Sequence, residues 1–135
     1  MKKAVFAAAL SASVAAIVLV AQVDGDYQAW MKANGAAMGS LNKNLMAKDS
    51  NGVAADAQKL EANLKQVEDY WQKRGTTDAV DFAKRGQMAA AAVAKDASAG
   101  NLDQAAADLK MVQGACGGCH MAHREGTPQT GFKMK

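Results

Sequence analysis

The sequence predicts an all-α protein, an antiparallel up-down-up-down four-helix bundle, on three observations. One proline in 135 residues and 5% aromatics, beside plentiful alanine and eight methionines, suit helices packed on small side chains. From Asp24 onward apolar residues recur in four stretches, mostly at alternating steps of three and four. The breakers between these stretches are short, and short connections between helices of roughly 20 residues make successive helices antiparallel.

Residues 1–21 are a different kind of segment. Met1-Lys2-Lys3 is a positive start, and Ala4 to Ala21 is apolar with only Ser11 and Ser13 interrupting, the pattern of a secretory signal peptide. The same run approaches the length of a membrane span, and Leu19 puts a bulky residue first in the cleavage triplet Leu19-Val20-Ala21, so an uncleaved anchor is the alternative. Either way the bundle over 22–124 and the tail over 125–135 are expected in the periplasm, an oxidising compartment. Removing residues 1–21 takes Lys2 and Lys3 from the 16 basic residues and no acidic one, leaving 14 against 13. A near-neutral chain without a basic stripe or aromatic-interleaved patch gives no sign of nucleic acid as a partner, and none is expected.

The first helix is expected from about Gly25 to Ala47 behind Asp24 as N-cap, with Tyr27, Met31, Asn34, Met38, Leu41 and Leu45 on one face. It stops at the polar run Lys48-Asp49-Ser50-Asn51-Gly52. The second, about Val53 to Lys73, carries Val53, Ala57, Leu60, Leu64, Val67 and Trp71 and ends at Arg74-Gly75. The third, about Asp78 to Ala99, is the least patterned, with Val80, Phe82, Ala83, Met88, Ala89 and Val93 as its larger apolar positions. The fourth opens with Asn101 and Gln104 as a capping-box pair and aligns Leu102, Ala105, Leu109, Val112, Cys116 and Cys119. Gly126, Pro128 and Gly131 predict an irregular tail over 125–135.

On this fourth helix stands Cys116-Gly117-Gly118-Cys119-His120, and C-x-x-C-H is the spacing of covalent c-type haem attachment. Residues three and four apart share a helix face, so both thiols can add to the vinyl groups of one haem while His120 points at the iron. A thioredoxin-like motif would need a preceding strand, where this one follows a helical stretch. A zinc site from Cys116, Cys119, His120 and His123 would put every ligand on one face, which cannot surround a tetrahedral ion. A Cys116–Cys119 disulfide would close a very short loop and leave His120 without a role. One covalently bound haem c is therefore the expected cofactor.

The signal segment, the four helices, Cys116-Gly117-Gly118-Cys119-His120-Met121-Ala122-His123-Arg124 near the chain's end and Met31-Lys32-Ala33-Asn34-Gly35 in the first helix together resemble the cytochrome c-prime family, the class II c-type cytochromes. Two positions depart from that pattern: His123 stands where many members have an aromatic residue, and Tyr27 where many have a basic one. The tail also runs past the usual end.

The resemblance implies that Met31 occupies the pocket position opposite His120, as in the low-spin branch of the family. A Met/His axial pair raises the reduction potential and suits outer-sphere electron transfer. Met38, two turns on, is the rival ligand, and an ordinary core methionine is the plain alternative for either. His123 lies on the same side of the ring as His120 and is expected at a haem propionate or in solvent, and Arg124 near the proximal imidazole. Gly35 and Gly39 would let the backbone approach a porphyrin face, or another helix. Trp30 and Trp71 are expected in the core or at an interface, with packing at the haem edge as the alternative.

These readings describe a monohaem electron carrier that is not an enzyme: Cys116 and Cys119 as thioether attachments, His120 as proximal ligand and Met31 as distal ligand. Its expected partners are periplasmic or membrane redox proteins, and family resemblance adds a homodimer through the first two helices. If Met31 does not ligate, the alternative is a five-coordinate protein binding nitric oxide or carbon monoxide. No distal His/Arg pair can be placed for a peroxidase.

Overall fold

A computed structural model describes residues 25–135. The signal segment and the Asp24 cap lie outside the described residues. Helix α1 spans residues 25–46, α2 Ser50–Arg74, α3 Thr77–Ser98 and α4 Leu102–His123, and a hairpin of β1 (Arg124–Thr127) and β2 (Gly131–Met134) follows. The helices pack as a four-helix bundle.

Caps set the helix limits. Asp49 accepts the Gly52 N–H at 3.0 Å, so α2 begins at Ser50, and part of the polar run expected to be a breaker is its first turn. Gly75 and Gly100 take left-handed backbone just beyond α2 and α3, which glycine adopts without steric cost. Asn101 accepts the Gln104 N–H at 3.4 Å, one half of the expected capping box. The other half is not made because the Asn101 N–H donates to the Asp96 carbonyl at 2.8 Å, and the Gln104 amide turns to Asp108.

The core falls into two parts along the bundle. At the end where α1 finishes and α2 begins, Leu41, Val53, Leu60, Val93, Leu109 and Val112 interlock from all four helices. At the opposite end Tyr27, Val67, Tyr70, Trp71, Val80 and Cys119 form a second cluster. Gly86 of α3 supports the close approach of α2, since a methyl there would come 3.1 Å from Leu64 Cδ1. Met88, expected among the larger apolar positions of α3, is instead 73% exposed; Ala90, Val93 and Ala97 hold the buried face. Two buried carboxylates tie helices together: Asp56 of α2 accepts from Asn44 of α1 at 2.9 Å, and Glu68 of α2 accepts from Gln87 of α3 at 2.6 Å.

The tail corrects the expectation of an irregular extension. Its strands pair antiparallel with Arg124 opposite Met134 and Thr127 opposite Gly131. The glycines and proline mark a tight turn, in which the Thr130 hydroxyl accepts the Thr127 N–H at 2.9 Å and the Thr127 hydroxyl accepts the Thr130 N–H at 3.2 Å. Three bonds moor the hairpin to the bundle. The Lys135 N–H donates to the His123 carbonyl at 2.9 Å, Lys135 Nζ to the Met121 carbonyl at 3.1 Å, and the Tyr70 hydroxyl to Met134 Sδ at 3.0 Å. The first two satisfy carbonyls that the end of α4 leaves without helical partners.

Candidate functional site

Antiparallel packing puts the start of α1 beside the end of α4. Met31 is in the second turn of α1, and Cys116, Cys119 and His120 are in the last turns of α4. All four line one cavity of 570 Å³, together with Met38. Leu64 and Val67 of α2, and Phe82, Ala83 and Gly86 of α3, form its apolar walls. The hairpin contributes Phe132, Lys133 and Met134 to the same cavity.

The motif residues occupy distinct environments. Cys119 is buried and Cys116 half-buried, and the two are free thiols. Burial pushes the Cys119 thiol up to about 11, with the neighbouring Cys116 adding to it, and burial also raises Cys116. Both therefore stay protonated at neutral pH and behave as small apolar groups. His120 is half-buried, and burial followed by the charge of Arg124 lowers its pKa. A neutral imidazole keeps a nitrogen lone pair for a metal. Among the described residues no three His, Cys, Asp or Glu side chains converge to hold a metal ion.

His123 lines the same cavity instead of standing in solvent. Its Nε2 is 2.8 Å from Asp78 Oδ2, joining α4 to α3, and its ring tilts against Trp71 at 5.1 Å. That contact holds the Asp78 carboxyl below its usual range. Trp71 is buried beside Tyr27 and Tyr70, as a core residue should be, whereas Trp30 is half-buried. Burial pushes the Tyr27 phenol up to about 12, so it is neutral as well as apolar at this end of the bundle.

A haem fits these residues. The cavity lies inside the range of about 300–1,000 Å³ usual for ligand pockets, with apolar walls, two thiols, an imidazole and thioethers as its donors. Asn34 is buried and lines the cavity with its Oδ1 unpaired, an atom that a bound group or water would satisfy. Gly35 also lines the cavity, and a methyl built on it would meet nothing within 4 Å, so the α1 wall has room at that point. Gly39 has the same freedom without lining the cavity. Lys32, Arg124 and Lys133 line it too, with no Asp or Glu among the lining residues.

Sequence reasoning missed Phe82 as a wall of the site and the whole hairpin contribution. The pair Thr127 and Thr130 about Pro128 is the turn signal that could have revealed the latter. A second hollow, of 460 Å³, lies between α1 and α2 and is lined by alanines, Ser40 and the Asp56–Lys59 pair; it contains none of the motif residues. Among the described residues no helix is long and apolar enough to cross a membrane. No protein-family model matches the chain, and no curated protein matches it either.

Proposed function

We propose that the protein is a monohaem c-type cytochrome that carries electrons and is not an enzyme. The observation that carries this reading is the convergence on one cavity of Cys116, Cys119 and His120 from α4 with Met31 from α1. Cys116 and Cys119 are the thioether attachments, His120 the proximal ligand and Met31 the distal ligand. The haem supplies the one-electron couple, and the chain fixes its potential and keeps solvent and substrates from it. Resemblance to the low-spin branch of the cytochrome c-prime family supports the same assignment. The secretory pattern of residues 1–21 supports a periplasmic carrier, whose partners would be soluble or membrane redox proteins.

The test is the absorption spectrum of the purified protein, oxidised and reduced. A covalently attached low-spin haem supports the carrier, and Met31→Ala should then open the distal site and lower the potential. An unchanged spectrum and potential in Met31→Ala would exclude Met31 and move the assignment to Met38. The room beside Gly35 and the unpaired Asn34 oxygen favour a second reading, a five-coordinate protein that binds nitric oxide or carbon monoxide. High-spin bands with ready carbon monoxide uptake in the unsubstituted protein would establish that reading instead.

A further inference from the structure

We infer that the C-terminal hairpin is part of the cofactor site, and that Lys133 on it and Lys32 on α1 form, with Arg124, a cationic rim that pairs with the two propionate carboxylates of the haem. The inference rests on the haem reading above and adds residues that the attachment motif does not include.

Four observations support it. First, the hairpin lines the cavity directly, through Phe132, Lys133 and Met134. Second, it is moored to α2 by Tyr70 to Met134 and to the end of α4 by Lys135 to the carbonyls of Met121 and His123, so its contribution is fixed in place. Third, the lining is divided chemically. Leu64, Val67, Phe82 and Ala83 supply apolar wall, while the permanent charges are all positive. A ligand matched to such a lining is flat and apolar with acidic groups at an edge, which describes a porphyrin bearing two propionates. Fourth, the Arg124 guanidinium stacks on the Phe132 ring at 4.0 Å, which joins the two strands and holds one of the three cations at the cavity.

Two counter-charges stand nearby: Glu125 is opposite Lys133 in the hairpin register and shares its face, and Asp78 is 2.8 Å from the cavity residue His123. Neither lines the cavity, and each offsets part of the positive charge of the rim. A cation beside a propionate stabilises the reduced haem relative to the oxidised one, since reduction removes a positive charge from the iron. Removing the cation therefore lowers the midpoint potential.

The experiment uses the full chain with its haem attached, after a denaturing-gel haem stain has established covalent attachment. Midpoint potentials are measured at low ionic strength for Lys32→Ala, Lys133→Ala and the double variant, with Lys43→Ala as an equal charge loss on α1 away from the cavity. The rim predicts a downward shift in each single variant that exceeds the shift in the Lys43→Ala control, and a larger one in the double variant. Lys133→Arg should restore the potential, Glu125→Gln should raise it, and high salt should shrink every shift. A double variant indistinguishable from Lys43→Ala, with haem attached, overturns the rim and leaves the carrier reading standing. A full chain without covalent haem overturns both.

Discussion

The Tyr70 hydroxyl hydrogen bonds to Met134 Sδ across 64 positions of sequence, at 3.0 Å, and so joins α2 to the last strand. Tyr70 also stacks on Tyr27 with ring centroids 4.4 Å apart, so the contact links the hairpin to α1 as well. Tyr70→Phe keeps the ring and deletes the donor. It should lower global stability by no more than about 0.5–1.5 kcal/mol while speeding hydrogen exchange in β2. Met134→Ala should speed that exchange further, and mass-spectrometric exchange of the 124–135 peptide reads both.

The two glycines between Cys116 and Cys119 should respond oppositely to alanine. Gly117 has open space where a methyl would stand, so Gly117→Ala should stabilise by up to about 1 kcal/mol through helix propensity. At Gly118 the methyl would overlap the Phe82 ring, and Phe82 lines the cavity. Gly118→Ala should cost about 1–3 kcal/mol, offset in part by the same propensity gain, and disturb the cavity wall. Thermal unfolding of the two variants side by side checks the asymmetry.

Asp56 links acid stability to the α1–α2 contact. Burial opposes its ionisation, but hydrogen bonds from Ser40, Lys59 and Asn44 outweigh this and hold the carboxyl below its usual range. Its contribution is complete above the unfolded carboxylate pKa of about 3.9 and disappears as pH falls through the lower folded value. Asp56→Ala should therefore cost about 1–3 kcal/mol at pH 7, and its deficit relative to the parent should shrink in acid. Denaturant melts between neutral pH and pH 3 give the comparison.

Gln87 clamps α3 to α2 through the buried Glu68 carboxylate, which also accepts from Gln72 at 3.1 Å. Gln87→Ala should cost about 1–2 kcal/mol at pH 7. Gln87→Glu would put a second carboxylate where the donor stood and should cost more than alanine does. Denaturation midpoints of the two variants rank them.

Much of this was legible in the sequence, for reasons particular to each element. Every position of the α2 stripe from Val53 to Trp71 is buried, because seven-residue spacing leaves one face to meet the neighbouring helices. In α3 alanines carry the packing, so the larger Met88 misled: size is a poor guide where small residues allow close approach. The cysteines and His120 were legible because helical spacing alone puts them together, and Met31 reaches the same cavity because the topology is antiparallel. The turn at Pro128 left a signal but the strands of the hairpin did not, since four-residue strands exposed along most of their length have no apolar alternation to betray them. Its order comes from tertiary bonds to Tyr70, Met121 and His123, partners that local sequence does not reveal.

The division of the core into a close-packed half and a half around the motif cavity should give the bundle a gradient of rigidity along its axis. Amides near Leu41, Leu60 and Val112 should therefore exchange only through global opening, whereas protection around the 570 Å³ hollow should depend on whatever fills it. Filling the hollow would then stiffen one pole while the other, already closed, keeps the helices in register.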